Sequence, residues 1–389
     1  MKTVLVRAPL LSKSGYGVHS RQLFRFLLKK ESEGKCILKT QILNWGITPW
    51  NLKKDDCDGL IEKIIEKSTE DFSKKFDLTF QLQLPNEWDQ NLGHFNVGLT
   101  AGVETDVANS MWSLDCQKMN KVIVPSEHAK NSLTKNVKLN NIEVVPESFY
   151  DFISKNEEGL ELENITTDFN FLSVGVMTGT SPQTDRKNLF FMIKWFVEEF
   201  KNDKDVGLII KTNRGRDSTL DKQATNLVLK QVLRELKYTG VPKIYLMHGD
   251  IPEKQMCKIY KSTKIKGLVS LTRGEGFGLP LLEAAASGLP VLATDWSAHT
   301  EFLNLGKWIK FDYELKDVDQ SKIDNKIFIS GAKWAEVKEL DFKQKIRKFK
   351  NNYSMPKTWA KELSLLIKEK YSFDKICEQY ENKLGDLFN

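Results

Sequence analysis

The stretch TRGEGFGLPLLEAAASGLPVLATDW, residues 272–296, has the composition of a junction between a strand and a helix. The apolar run KGLVSL (266–271) before it is typical of a β-strand, and LPLLEAAASG (279–288) is typical of a helix. Proline often enters a helix and glycine often follows its end, as Pro280 and Gly288 would here. The stretch therefore predicts a strand, a glycine-rich turn and a helix.

Two glutamates, Glu275 and Glu283, flank this turn. We expect Glu283 in the first turn of the helix, where backbone N–H groups lack partners and attract anions. Gly276 and Gly278 let the backbone approach a bound group closely. Carboxylate oxygens accept hydrogen bonds from sugar or ribose hydroxyls. The turn therefore predicts a site for a ligand with phosphate and hydroxyl groups, and a purely electrostatic role for Glu283 is the alternative.

The composition indicates a globular protein with room for two domains, since 40% of the 389 residues are hydrophobic and 28% are charged. No apolar run approaches the roughly 18 residues of a membrane span, and Arg7 interrupts the apolar start of the chain. We therefore expect no signal peptide. The five cysteines form no CxxC pair, which favours a reducing cytoplasm and gives no metal signature.

The formal net charge of +6 comes from the second half of the chain, because acidic residues slightly outnumber basic ones before it. A basic second half suits an anionic small ligand such as a nucleotide diphosphate. The charge is too dilute to indicate a nucleic-acid partner. The sequence does not indicate an oligomeric state.

Short apolar runs alternate with helical patterns along the chain, which predicts an α/β fold of two doubly wound lobes facing across a cleft. A polar, acidic stretch interrupts this alternation and is interpreted as a linker between the lobes. The predicted segments are a first lobe at 1–153, the linker at 154–168, a second lobe at 169–355, and C-terminal helices at 356–389 that cross back to the first lobe.

A basic helix is predicted at DFKQKIRKFK (341–350), with Phe342, Ile346 and Phe349 on one stripe. Such a helix could lie on an anionic membrane surface at the inner membrane face, as a peripheral contact. The alternative is a surface helix packed on its own domain.

The glycine loop SGYGVHS (14–20) follows the first predicted strand. It imitates a dinucleotide-binding fingerprint incompletely, because Ser20 stands where a third small glycine is expected, so we do not expect NAD. Gly15, Tyr16 and Gly17 would instead form a tight turn whose N–H groups face a phosphate or an acceptor hydroxyl. A purely structural turn is the alternative.

The segment SLTRGEGFGLPLLEAAASGLPVLATDWSAHTEFL (270–303) closely resembles the E-x7-E region of retaining glycosyltransferases with the GT-B fold, especially glycosyltransferase family 4. Supporting matches are SGYGVHSRQL (14–23), NKVIVPSEHAKNSL (120–133), DRKNL (185–189), HGDIPEKQMCKIY (248–260) and YSFDKICEQY (371–380). The resemblance implies two Rossmann-like lobes, the second binding a nucleotide-diphosphate sugar and the first binding a hydroxyl acceptor on a glycan, lipid or small molecule. It also implies that no cofactor or metal takes part.

By this resemblance, Glu275 would bind hydroxyls of the donor sugar, while Lys187 and Arg186 would face the diphosphate and Glu283 would bind the ribose. The resemblance departs at two places: Val176 stands where many relatives carry an arginine, and Glu104 stands near where they carry a histidine. The candidate catalytic residues are Glu275, Glu104 and Lys187. The other donor-binding candidates are Arg186, Lys211, Gly276, Phe277, Gly278, Leu279 and Glu283, with Glu301 as an additional acid.

Two other functions stay open at this point. One is a non-catalytic protein that binds a nucleotide sugar, and the other is a glycosyltransferase that acts on a nucleic-acid base. The DxD spacing of Asp56 and Asp58, which metal-dependent transferases of another fold use, lies in a charged surface segment without a neighbouring site, and we do not expect it to bind metal.

Overall fold

The computed structural model describes residues 1–155, 157–179, 181–213, 215, 217–238 and 240–389. The chain divides into two compact units. The first unit contains residues 1–148, 325–329 and 371–389, and the second contains residues 149–324 and 330–370. The acidic stretch 154–168, interpreted above as a linker, falls within the second unit, where Leu162 and Ile165 are buried.

The first unit contains a parallel six-stranded sheet in the described part of the chain, in the order β2-β1-β3-β4-β5-β6. Its strands are β1 (Lys2–Ala8), β2 (Cys36–Ile42), β3 (Phe76–Leu82), β4 (Gly93–Leu99), β5 (Lys121–Val124) and β6 (Ile142–Val144). Its helices before the second unit are α1 (Gly15–Ser32), α2 (Leu60–Glu66), α3 (Ser110–Lys118) and α4 (Glu127–Thr134).

The second unit repeats this architecture, with the described strands in the order β12-β11-β10-β7-β8-β9, all parallel. These strands are β7 (Phe169–Val174), β8 (Val206–Thr212), β9 (Lys243–His248), β10 (Ile265–Ser270), β11 (Val291–Thr294) and β12 (Ile309–Phe311). An antiparallel hairpin follows them, formed by β13 (Tyr313–Asp317) and β14 (Lys333–Val337).

The helices of the second unit connect and cover these strands. They are α5 (Leu189–Phe200), α6 (Thr219–Glu235), α7 (Glu253–Tyr260), α8 (Leu279–Ala286), α9 (His299–Leu303), α10 (Glu339–Asn351) and α11 (Ser354–Tyr371). The predicted α/β class with two doubly wound parallel sheets is confirmed.

The last helix, α12 (Phe373–Leu384), belongs to the first unit. Its residues Ile376, Tyr380 and Leu384 are buried in the same core as the sheet residues Val4 and Phe80. The hydroxyl of Tyr380 also lies 3.1 Å from Nε2 of the buried His19 on α1. The first unit therefore takes part of its core from the end of the chain.

The membrane interpretation of the basic helix is wrong, because α10 directs its apolar stripe into the core of the second unit. Phe342, Ile346 and Phe349 are fully buried there. Four of the five basic residues around the stripe form ion pairs with acids, as Lys343 does with Glu198. Lys345, Arg347 and Lys350 pair with Asp341, Glu199 and Asp203 respectively. Within the described residues, no helix is long and apolar enough to cross a membrane.

Candidate functional site

The site lies where the strand order of the second unit reverses. The strand β7 pairs with β8 on one side and with β10 on the other, so the loops that follow β7 and β10 leave the sheet next to each other. Ligands of doubly wound sheets bind at such a point, beside the carboxyl ends of the strands. The loop after β7 carries Arg186 and Lys187, and the turn after β10 carries Glu275.

The structure brings these three charged residues into direct contact. The Nζ of Lys187 lies 2.5 Å from Oε1 of Glu275, and Nη1 of Arg186 lies 3.4 Å from its Oε2. Arg186 also donates to the carbonyl of Gly274, at 2.6 Å. Two cations and one carboxylate leave a net positive charge, which suits an anionic ligand.

The carboxyl of Glu275 is only 6% exposed, and its surroundings keep it ionised. Burial alone would raise its pKa, but Lys187 and Arg186 outweigh burial and lower the pKa to about 2. The carboxylate is therefore an acceptor of hydrogen bonds at any physiological pH.

The backbone of the turn is fixed by the loop after β11. The N–H of Glu275 donates to Oγ of Ser297 at 2.9 Å, and the N–H of Ala298 reaches the carbonyl of Glu275 at 3.4 Å. Gly278 precedes α8 with a φ of 101°, a left-handed conformation that favours glycine. Phe277 is buried against Phe302, and Gly276 and Leu279 are also buried. The predicted strand, turn and helix are confirmed. Pro280 is the second residue of the helix, and Gly288 lies just past the helix end.

Glu283 does not lie in the first turn of α8, and that prediction is wrong. The helix begins at Leu279, so Glu283 faces inward beyond the first turn and is 5% exposed. Tyr260 at the end of α7 donates its hydroxyl to Oε2 of Glu283 at 2.8 Å. Burial raises the pKa of the Glu283 carboxyl to about 8, despite the opposing effect of this hydrogen bond.

Lys211 lies near the carboxyl end of β8, and β7 separates this strand from β10. Its ammonium donates to Oδ1 of Asn213 and to the carbonyl of Gly249, both at 2.7 Å, and burial lowers its pKa. Gly175, in the loop after β7, lies between Lys211 and Lys187. Its N–H donates to the carbonyl of Lys211. A Cβ built on Gly175 would lie 3.5 Å from Cδ of Lys187. Lys211 is thus a neighbour of the charged cluster.

Two further residues after β11 differ in their surroundings. Glu301 lies on α9 and is exposed. His299 is fully buried, its Nε2 lies 2.7 Å from the carbonyl of Thr294, and burial lowers its pKa. The neutral His299 therefore supports the turn.

In the first unit, the glycine loop begins α1 and holds an aromatic side chain. Ser14 caps the helix by accepting from the N–H of Gly17, and Gly15 is the first helical residue. The Tyr16 hydroxyl lies 3.0 Å from Oγ1 of Thr100 and accepts from the N–H of Ala101. Its ring stacks on Trp45, with ring centroids 4.0 Å apart. Glu104 lies in the loop after β4, half-buried.

Arg273, which the sequence reasoning left out, is the most fully bonded side chain beside the site. It is 2% exposed and joins the loop after β7 to the hairpin. Its position directly before Gly274 and Glu275 was the one signal that could have pointed to it. Among the described residues, no group of three or more His, Cys, Asp or Glu side chains could hold a metal ion.

Residues 183–362 match the family model described as glycosyl transferases group 1. The matched segment holds just under half of the chain and contains Arg186, Lys187, Glu275 and Glu283. A sucrose synthase of Melioribacter roseus is 27% identical over 216 residues, which is 52% of this chain and 26% of that protein. The chain thus spans about a quarter of the length of the curated relative it matches.

Solved structures share the fold over the whole chain. A sucrose-phosphate synthase from Thermosynechococcus elongatus has a TM-score of 0.65 at 13% identity, with 100% of this chain and 99% of that chain covered. HepE of Anabaena, solved with UDP-glucose, has a TM-score of 0.60 at 11% identity, with 99% and 100% covered. The chain therefore has the two-lobed GT-B fold.

Proposed function

We propose that this protein is a retaining glycosyltransferase of the family 4 type, which moves a sugar from a nucleotide-diphosphate sugar to a hydroxyl acceptor without a metal ion. The observation that carries the proposal is the contact of Glu275 with Lys187 and Arg186 at the point where the strand order reverses. It places fixed cations and a fixed acceptor of hydrogen bonds side by side. A nucleotide-diphosphate sugar presents both an anion and hydroxyl groups, the two kinds of group that these residues can bind.

Each charged residue has a distinct part in the proposed reaction. Lys187 and Arg186 bind the diphosphate and stabilise the negative charge that develops as the bond from the anomeric carbon to the phosphate oxygen breaks. Glu275 accepts hydrogen bonds from hydroxyls of the transferred sugar and orients it. Glu283 accepts from the ribose, and Lys211 and the turn residues Gly276 to Leu279 complete the donor site.

The acceptor attacks from the same face that the diphosphate leaves. The departing phosphate oxygen takes the proton of the acceptor hydroxyl, so configuration at the anomeric carbon is retained and no separate basic side chain is required. The Tyr16 loop and Glu104 of the first unit are the proposed acceptor side of the reaction. The UDP-glucose bound in the HepE structure supports a nucleotide-sugar donor for a protein of this fold.

The test is transfer from UDP-, GDP- and ADP-sugars to a panel of saccharide, lipid and small-molecule hydroxyl acceptors. We expect turnover with one nucleotide class, a product with the donor's anomeric configuration by NMR, and full activity in EDTA. Release of the sugar with inverted configuration would contradict the retaining mechanism. Loss of activity in EDTA that manganese restores would contradict metal independence, and binding without turnover would favour a non-catalytic role.

A further inference from the structure

One nitrogen of the Arg273 guanidinium is bonded to the loop that carries the two cations. Its Nη1 donates to the carbonyls of Pro182, Gln183 and Asp185 at 2.7, 3.2 and 3.0 Å. Its backbone N–H donates to the carbonyl of Arg186 at 2.8 Å. One residue thus fixes the backbone on the N-terminal side of Lys187 at several points.

The hairpin holds Arg273 from the other side. Glu336 on β14 accepts from Nε of Arg273 at 2.7 Å and forms an ion pair with its Nη2 at 2.7 Å. The N–H of Ala335 donates to the carbonyl of Arg273 at 2.9 Å. Glu336 also accepts from the amide of Asn188, the residue directly after Lys187, at 3.3 Å. Contacts from Arg273 and Glu336 therefore bracket the two cations in sequence.

The chemistry of this arrangement requires an arginine. The guanidinium has five N–H donors in a rigid fork, whereas a lysine ammonium has three and no fixed plane. Here the guanidinium donates hydrogen bonds to the loop carbonyls and to Glu336 at the same time. Because Glu336 compensates its charge, Arg273 is not itself a cation for the diphosphate, and its effect on a ligand passes through Arg186 and Lys187.

We propose that Arg273 and Glu336 are positioning residues for the diphosphate, by which the hairpin holds Arg186 and Lys187 in their binding arrangement. This inference rests on the proposed function. It assigns the hairpin a part in donor binding, although the hairpin lies outside the parallel sheet. It also separates the diphosphate end of the donor, which depends on this link, from the nucleoside end, which does not.

The test compares Arg273→Lys and Glu336→Gln with Asp317→Asn as the matched control. Asp317 lies on the same hairpin and forms an ion pair with Lys333 at 2.8 Å. Calorimetry would measure the affinity of each variant for UDP, GDP and ADP and for the corresponding nucleosides. Transfer kinetics would give the KM of the donor and of the acceptor separately.

We expect Glu336→Gln and Arg273→Lys to weaken binding of the preferred nucleoside diphosphate about tenfold to a hundredfold, as for a lost hydrogen bond to a charged group. Nucleoside affinity and acceptor KM should not change, and Asp317→Asn should resemble the unsubstituted protein. If Arg273→Lys does not fold, as judged by circular dichroism, Glu336→Gln alone decides the matter.

The two proposals fail in different ways. Equal losses for the nucleoside and the nucleoside diphosphate, or no loss for either, would overturn the positioning role and leave the proposed function intact. Absence of nucleoside diphosphate binding by the unsubstituted protein would overturn the proposed function and this inference with it.

Discussion

The Nζ of Lys187 lies 2.5 Å from Oε1 of Glu275, although the two residues are 88 positions apart in the chain. The pairing of β7 with β10 causes this contact, because it brings the loops after both strands to one edge of the sheet. Lys187 and Arg186 keep the buried Glu275 ionised. This contact allows the proposed function to be tested with single substitutions.

Replacement of Glu275 by glutamine should separate catalysis from anion binding. The substitution removes the carboxylate that orients the sugar, and we expect transfer to fall about a hundredfold or more, as for other groups that act in the transition state. Affinity for the nucleoside diphosphate should be kept or should rise, because the anion that competes for Lys187 and Arg186 is gone. Kinetics and calorimetry on the same protein would check this, and a large loss of diphosphate affinity would contradict it.

Replacement of Lys187 by methionine should weaken diphosphate binding and transfer together. We expect kcat/KM to fall by about a hundredfold, since a fixed cation beside the leaving group is lost. The matched control is Lys194→Met on α5, where the half-buried Lys194 lies 3.8 Å from Glu198. The control should stay close to the unsubstituted protein, and similar losses in both variants would argue against a specific role for Lys187.

The buried Glu283 should make stability depend on pH. Its pKa is raised from an ordinary 4.5 to about 8, so the folded protein binds more protons than the unfolded chain between those values. The contribution of Glu283 to the free energy of unfolding is therefore full at low pH and decreases as pH rises through this window. Urea unfolding of the unsubstituted protein and Glu283→Gln would show it.

The difference between the two Glu283 proteins should move in favour of the glutamine variant from about pH 5 to about pH 8. Tyr260 can keep its hydrogen bond to the amide oxygen, so the comparison isolates the proton. Parallel stability profiles for the two proteins would show that Glu283 is not buried as a neutral acid.

The two glycines in the first turn of α1, Gly15 and Gly17, should respond differently to alanine. An ideal Cβ at Gly17 would lie 1.9 Å from the carbonyl oxygen of Ser12, whereas one at Gly15 meets nothing within 4 Å. We expect Gly17→Ala to lower the free energy of unfolding by about 1–3 kcal/mol through overpacking. Gly15→Ala should change it by less than about 0.5 kcal/mol, and equal effects in urea unfolding would contradict this reading of the turn.

The sequence predicted the junction around Glu275 well because its signals are local. The glycines, Pro280 and Gly288 act on the backbone next to them, and the structure has the strand, turn and helix in those places. The position of Glu283 was missed by less than one turn of helix. At a helix end its backbone would face a ligand, whereas in the structure its side chain is buried and bonded to Tyr260.

Non-local contacts were beyond sequence reasoning. The bond between Arg273 and Glu336 joins residues 63 positions apart through the hairpin, and neither residue type indicates its partner. The apolar stripe of α10 is equally compatible with a membrane surface and a protein core. The acids Glu198, Glu199 and Asp203 form ion pairs with basic residues of α10. These distant partners, which the local pattern does not reveal, favour the protein core.

The place of α12 in the core of the first unit has a consequence for biosynthesis. During translation, the six strands of that unit leave the ribosome long before Ile376, Tyr380 and Leu384, which complete their hydrophobic core. The core of the first unit therefore stays incomplete while the second unit is synthesised. Nascent chains of this kind expose apolar surface that chaperones recognise. A ribosome stalled before codon 373 should carry a first unit that proteases still cut.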